Sequence, residues 1–215
     1  MLDTATVEKI LTILQDKKKE WQDYTLSSRE KDPFRVLLGC ILSQRTKDTL
    51  THKVAEKLFK FAPSPEAILK LSEYELSKII YPVGFYRKKA RTLREISKIL
   101  LEKYGGKVPS SLEELLRLPG VGRKTANLVL STSFNKDAIA VDTHVHRIAN
   151  RMSMVSTKTP EETEKELRKV IPKKWWKELN HTLVLFGQNI CLPRNPRCGE
   201  CPVESYCKKV EVVEQ

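Results

Sequence analysis

The chain has 215 residues, of which 40% are hydrophobic, which suffices for one large core or two small domains and argues against a disordered protein. Its 39 lysines and arginines exceed its 27 aspartates and glutamates, so the formal net charge of +12 attracts polyanions, with nucleic acid as the leading partner and an anionic membrane surface as the competitor. The longest apolar run, Val36–Leu42, is too short to span a bilayer, and residues 1–8 carry acids where a signal peptide needs bases. We therefore expect a soluble, intracellular protein with no membrane partner.

The spacing of apolar residues predicts helices along almost the whole chain, and few runs alternate as strands do, so the expected fold class is all-α. An amphipathic helix is predicted over about Thr4–Lys19, leading into Trp21 and Tyr24. A second helix begins at Pro33, which suits a first turn, and its apolar sequence as far as Leu42 predicts burial. Further helices are predicted over Asp48–Phe61, Pro65–Leu71, Glu73–Ile80, Arg87–Tyr104, Leu112–Leu118, Arg123–Ser133 and His144–Met152, with two more after Pro160.

Residues 118–126, with the sequence LPGVGRKTA, lie between two predicted helices and contain two glycines where the chain must turn sharply. Backbone N–H groups exposed by such a turn at a helix N-terminus form an anion site suited to one DNA phosphate. The expected phosphate contacts are therefore Gly120, Val121, Gly122 and Arg123. An ordinary helical turn is the alternative interpretation.

A weaker copy of this segment, VGFYRKKA at residues 83–90, can be laid over residues 119–126. In that alignment Tyr86 takes the place of Gly122, so the backbone is less open to a phosphate. Lys88 takes the place of Lys124. A lysine after a glycine turn is therefore not by itself a sign of catalysis.

Two residues farther along this region have side chains suited to catalysis. Lys124 falls in the first turn of the helix that follows this glycine turn, where the positive end of the helix dipole disfavours an ammonium. A neutral lysine amine is a nucleophile. A solvated phosphate contact is the simpler reading of Lys124 taken alone. Asp142 precedes a helix that carries Arg147 and Arg151, and its simplest role is the N-cap of that helix.

The two segments GVGRKTANLVL and AVDTHVHRIANR resemble the paired catalytic signatures of the endonuclease III family of helix-hairpin-helix DNA repair glycosylases. The resemblance implies that Lys124 attacks the sugar C1′ and forms a Schiff base, while Asp142 stabilises positive charge and helps to activate the lysine. It also implies a bifunctional N-glycosylase and abasic-site lyase that removes oxidised pyrimidines and nicks abasic sites by β-elimination. The implied partner is double-stranded DNA with damaged bases or abasic sites, bound by a cytoplasmic monomer that is nucleoid-associated while on DNA.

The same resemblance implies two α-helical domains with the DNA cleft between them. Residues 25–136 would form a helical barrel domain that contains the helix-hairpin-helix, and residues 1–24 with 137–215 would form an iron-sulfur cluster domain. Further DNA contacts are expected at His144 and Arg147.

Four of the five cysteines are crowded near the C-terminus with the spacing C-x6-C-x2-C-x5-C: Cys191, Cys198, Cys201 and Cys207. The central C-x-x-C is typical of zinc sites, and four thiolates also suit a [4Fe-4S] cluster. The spacing resembles the C-terminal cluster loop of the endonuclease III family, which favours the [4Fe-4S] cluster, in a structural role. Arg194 and Arg197 between the first two cysteines are either phosphate contacts or solvated surface charges. Cys40, within the second predicted helix, is interpreted as a buried thiol.

Residues 43–48, SQRTKD, occupy the place where the family carries a loop that fills the gap left by an extruded base. The family's bacterial pattern has glutamine two residues after the serine, whereas here Gln44 comes one residue earlier and Arg45 stands in its place. Either residue could fill the gap. Asp48 is predicted to be the N-cap of the next helix.

Two other functions remain open from the sequence. One is a monofunctional mismatch glycosylase of the same superfamily, which removes thymine or adenine with water; Lys124 argues against it because those relatives usually have another residue there. The other is a non-catalytic helix-hairpin-helix DNA-binding protein, against which the pairing of Lys124 with Asp142 argues.

Overall fold

The computed structural model describes residues 1–23 and 30–212; Tyr24, named above after the first predicted helix, lies outside this range. Every regular element in these residues is helical, so the expected all-α class is confirmed. The described α-helices are α1 Thr4–Lys17, α2 Pro33–Ser43, α3 Asp48–Phe61, α4 Pro65–Lys70, α5 Glu73–Ile80, α6 Tyr86–Tyr104, α7 Leu112–Leu116, α8 Arg123–Ser133, α9 Thr143–Arg151, α10 Pro160–Val170 and α11 Trp176–Asn189. Short 3₁₀ helices cover Lys18–Glu20, Lys173–Trp175, Cys198–Glu200 and Glu204–Tyr206. Among the described helices, none combines the length and the apolar character that crossing a membrane requires.

The chain divides into two compact units, one formed by Met1–Asp23 with Asp137–Gln215 and the other by Tyr24–Lys136. Within the second of these, α2 packs against α3, α6 and α8. The start of α2 is fixed by Asp32, whose side chain accepts a hydrogen bond from the Arg35 amide at 2.9 Å, and by Pro33 in the first turn. From Phe34 to Leu42 every residue except Arg35 is buried, which confirms the predicted burial of this helix.

In the other unit, α1 and α9 both pack against α11 around one apolar core. Trp176 belongs to this core, and its indole N–H donates to the Ile171 carbonyl at 2.9 Å. Gly187 on α11 lets the side chains of His144 and Arg147 on α9 approach closely, because an added Cβ would lie 2.6 Å from His144 Nδ1 and 2.9 Å from Arg147 Nη2. This close approach places the polar face of α9 beside the segment that carries the four cysteines.

Two local predictions are corrected by the structure. The N-cap of α3 is Lys47, and Asp48 is its first helical residue, so the predicted capping role of Asp48 is wrong by one position. The proposed alignment of the two glycine turns is also wrong by one residue, because α6 begins after the cap Phe85 whereas α8 begins after the cap Gly122. In helix register the counterpart of Lys124 is therefore Arg87 and not Lys88.

Candidate functional site

The hairpin before α8 is a tight turn that needs glycine at one position. The Val121 amide donates to the Leu118 carbonyl at 3.2 Å, and Gly120 has φ +74°, a conformation that L side chains rarely adopt. An added Cβ at Gly120 would also lie 3.2 Å from the Thr92 methyl group. The second glycine, Gly122, is the N-cap of α8 and has ordinary backbone angles.

Gly122 leaves the N-terminus of α8 open. Glycine has no side chain with which to cap the helix, and an added Cβ at Gly122 would meet no other atom of the described residues within 4 Å. The packing of the described residues of this unit therefore does not require a glycine here. The first-turn N–H groups of α8 lie at a helix end that an anion can approach closely, which is the geometry expected of a phosphate site.

Lys124 is half-buried in the first turn of α8, next to this open end. Burial raises the pKa of the Cys40 thiol on α2, and the positive charge of Lys124 opposes that shift. The Lys124 amine is therefore near Cys40, where α8 packs against α2. Cys40 is buried, as the sequence predicted.

The loop after α2 presents the two candidate gap-filling residues differently. Gln44 is exposed, but its Nε2 donates to the Gly120 carbonyl at 3.0 Å, so its side chain is tied to the hairpin. Arg45 is exposed, has φ +52°, and places its guanidinium 5.6 Å from the centre of the Phe85 ring. Phe85 is 60% exposed and has φ +57°. The sequence contained no signal for this pairing, because it joins two turns through their tertiary packing.

Asp142 belongs to the other unit and is the N-cap of α9, as predicted. Its carboxylate accepts from the amides of His144 at 2.9 Å and Val145 at 3.0 Å. The side chain is half-buried, so part of it remains accessible while the cap is formed. A carboxylate in this position can stabilise both the helix terminus and a positive charge that approaches it.

The basic residues of α9 bind the start of the cysteine segment. Arg147 donates to the Cys191 carbonyl at 2.8 Å and lies 3.2 Å from His144 Nδ1. Arg151 is only 9% exposed, and its two Nη groups donate to the carbonyls of Leu192 at 2.6 Å and Pro193 at 2.8 Å. These bonds give Arg147 and Arg151 a structural role that the sequence did not reveal. DNA contacts by His144 and Arg147 stay a prediction.

The four C-terminal cysteines line a single cavity together with Arg151, Phe186 and Ile190. These four cysteines and Cys40 all lie in the described residues, and none of the five forms a disulfide. Burial raises the pKa of Cys201 to about 11 and also raises the pKa of Cys207. Metal coordination overcomes such a shift, because a coordinating thiol is deprotonated outright. In residues 1–23 and 30–212, no three His, Cys, Asp or Glu side chains are gathered as ligands of one ion.

This donor set fits an iron-sulfur cluster, which four cysteine thiolates hold, because all four cysteines line the same cavity. Cys198 and Cys201 bracket one 3₁₀ turn, and Cys207 follows the next. Cys191, Cys201 and Cys207 also pack against the core of this unit. Arg194 and Arg197 are exposed between the first two cysteines, where their predicted phosphate contacts remain untested.

The Arg151 side chain offers a test of how the cysteine segment is held. Arg151→Met should lower the free energy of unfolding by about 1–3 kcal/mol, because two part-buried hydrogen bonds from the buried Arg151 side chain are lost. The cluster should also bleach faster in air, measured as loss of visible absorbance over time. Arg194→Met is the matched control, since Arg194 is exposed on the same segment. Equal bleaching rates for the two variants would contradict the role of Arg151.

Comparison with known proteins agrees with the geometry. Residues 38–173 match the family model of the HhH-GPD superfamily of base excision DNA repair proteins, and residues 191–207 match the iron-sulfur binding domain of endonuclease III. The chain is 53% identical over 180 residues to endonuclease III of Thermotoga maritima, with 84% of each chain covered.

Two solved structures extend the comparison to the fold. A trapped covalent intermediate of an endonuclease III with DNA has a TM-score of 0.88 and 35% identity, with 97% of each chain covered. A thermostable thymine-DNA glycosylase has a TM-score of 0.84 and 29% identity, with 97% of this chain and 94% of that chain covered. Together these matches show that the chain belongs to the HhH-GPD superfamily of base excision DNA repair proteins, as an endonuclease III-type enzyme with a [4Fe-4S] cluster.

Proposed function

We propose that this enzyme removes oxidised pyrimidines from double-stranded DNA and then nicks the resulting abasic site, with Lys124 as the nucleophile for both reactions. The observation that carries the proposal is the position of Lys124. Its half-buried amine lies in the first turn of α8, beside a helix N-terminus left open by Gly122. One DNA phosphate bound at that terminus would bring the adjoining sugar within reach of the amine.

In the proposed reaction the neutral amine of Lys124 attacks C1′ of the damaged nucleotide. The bond between C1′ and the base breaks, and the base leaves with the bonding electrons and takes up a proton from water. The amine nitrogen gives up one proton, the C1′–O4′ bond breaks as O4′ takes up a proton, and a protonated Schiff base remains between Nζ and C1′. Removal of a C2′ proton then expels the 3′ phosphate by β-elimination, and water hydrolyses the imine to release Lys124. The carboxylate of Asp142 would stabilise the positive charge of the intermediate and accept protons.

The iron-sulfur cluster would be held by Cys191, Cys198, Cys201 and Cys207. Four thiolate bonds supply the cross-links that the surrounding segment needs, because that segment has few apolar residues of its own. Within the protein, Arg151 and Arg147 fix the backbone of this segment through the carbonyls of residues 191–193. Arg194 and Arg197 would then face phosphates from a rigid support.

The division of the chain supports assigning the unit of Tyr24–Lys136 as the helical barrel domain and the other unit as the cluster domain. The positive net charge supports strongly salt-dependent binding to double-stranded DNA. We further propose that the enzyme acts as a monomer in the compartment that holds the DNA, the cytoplasm.

Borohydride trapping tests the proposal. Wild-type enzyme is incubated with duplexes that carry an oxidised pyrimidine or an abasic site, then reduced. We expect a covalent adduct with both duplexes, and strand cleavage on the 3′ side of the lesion without borohydride. Release of thymine or adenine from mismatched duplexes with neither adduct nor cleavage would instead support a monofunctional mismatch glycosylase. Binding without base release or cleavage would support a non-catalytic DNA-binding protein.

A further inference from the structure

Lys89 on α6 is a buried lysine in the same unit as Lys124. It is 5% exposed, and its Nζ lies 2.7 Å from the Leu42 carbonyl, 2.6 Å from the Gln44 carbonyl and 3.1 Å from Thr46 Oγ1. An ammonium has three donors, and here each has an oxygen acceptor. Burial lowers the pKa of Lys89 to about 8, and the two carbonyl acceptors match the protonated form.

These acceptors belong to the end of α2 and to the loop that follows it. The last carbonyls of a helix have no partner within the helix, and a positive charge is favourable at this end of the helix dipole. Lys89 therefore satisfies the terminus of α2 from a helix that is distant in the chain. The same ammonium also fixes the loop through Gln44 and Thr46.

Further contacts join this loop to two other turns. Thr46 Oγ1 accepts from the Gly84 amide at 3.0 Å, and the Gln44 side chain donates to the Gly120 carbonyl at 3.0 Å. Gly84 also passes so close to the loop that an added Cβ would lie 2.6 Å from the Arg45 carbonyl. We call the residues 43–46, 84–85 and 120–122 the three-turn surface. Lys89 is at its buried side.

The exposed side of the three-turn surface carries two residues in an uncommon backbone conformation. Arg45 and Phe85 both have positive φ, a region that is strained for residues other than glycine, so the surrounding structure must hold them there. The hydrogen bonds of Lys89 and Thr46 supply that restraint from the buried side of the three-turn surface. They thereby determine where the side chains of Gln44 and Arg45 lie.

We propose that Lys89 is a positioning residue for DNA repair: its buried ammonium holds the three-turn surface in the arrangement that engages a damaged duplex. This role rests on the proposed function and extends it to a residue outside the catalytic pair. Lys89 does not act as a second nucleophile, because its three donors are directed at protein oxygens. Its effect is confined to duplex substrates, where the damaged or abasic nucleotide must be extruded and the gap that it leaves must be filled.

The test compares Lys89→Met with Lys88→Met, because Lys88 is the next residue and is exposed. Both variants remove one positive charge, and only the first removes the buried donors. Each is assayed by borohydride trapping on one abasic oligonucleotide, single-stranded and in a duplex. For Lys89→Met we expect KM on the duplex to rise about tenfold or more, with single-stranded trapping close to wild type. Lys88→Met should change duplex KM only by the effect of one surface charge.

Thr46→Val provides a second variant in case Lys89→Met folds poorly. It removes the hydroxyl that joins Lys89 to Gly84 and keeps the side-chain volume, so duplex KM should rise in the same direction by a smaller factor. The proposal would be overturned if Lys89→Met lost trapping equally on single-stranded and duplex substrates while Thr46→Val kept wild-type values. That result would mean that Lys89 serves only the general stability of the fold. If the wild-type enzyme itself formed no covalent adduct with either substrate, the proposed function would be refuted.

Discussion

Lys124→Met is expected to abolish the borohydride adduct and to reduce strand cleavage at abasic sites by several orders of magnitude. The substitution removes the only atom that the proposed reaction uses as its nucleophile, and methionine keeps most of the apolar stem of this half-buried side chain. Duplex binding should fall only slightly, since one positive charge among many is lost. Single-turnover cleavage of an abasic duplex, with a parallel binding measurement, checks both statements.

Lys88→Met is again the matched control for Lys124→Met, because it removes an exposed lysine near the start of α6. It should keep full trapping and cleavage. If Lys124→Met still formed the adduct at the wild-type rate, another amine would be the nucleophile. If it released damaged bases normally but left the strand intact, water would displace the base and the lysine would serve only the lyase step.

We expect that comparing two substitutions of Asp142 will separate its structural role from its chemical role. Asp142→Ala removes the acceptor of the His144 and Val145 amides and should lower the free energy of unfolding by about 1 kcal/mol. Asp142→Asn keeps a capping oxygen, so its stability should be near that of the wild type. Both variants lose the carboxylate, and we expect about 10²- to 10⁴-fold slower cleavage in each.

Chemical denaturation gives the stability of each Asp142 variant, and single-turnover cleavage gives the rate. The expected pattern is equal catalytic loss with unequal stability. An Asp142→Asn enzyme with wild-type rates would mean that the carboxylate is only a helix cap. Loss of activity in Asp142→Ala that merely follows its loss of folded protein would point to the same conclusion.

Helix positions could be predicted from the sequence where local chemistry determines them. The predicted bounds of α3, α5 and α8 coincide with those of the structure, because apolar periodicity and flanking turn residues are local signals. Caps were less predictable. Asp142 caps α9 as expected, whereas Lys47 rather than Asp48 precedes α3, since acidic residues are favoured both at the cap and in the first turn.

The candidate site was predictable only where local sequence motifs identify its residues. Motif spacing identified Lys124, Asp142 and the four cysteines as candidates, but it contained no information on contacts between distant segments. Lys89 binds carbonyls that precede it by more than forty positions, and Arg151 binds carbonyls about forty positions later. Both look like ordinary surface charges in the sequence. Their importance follows from burial, which only the folded chain determines.

Locating the lysine that forms the covalent bond tests the proposed role of Lys124 most directly. Wild-type enzyme is trapped with borohydride on an abasic duplex, the DNA and protein are digested, and the modified peptide is identified by mass spectrometry. We expect one modified residue, Lys124, with Lys88 and Lys89 unmodified. Modification at any other amine, or no modified peptide from an enzyme that cleaves the duplex, would contradict it.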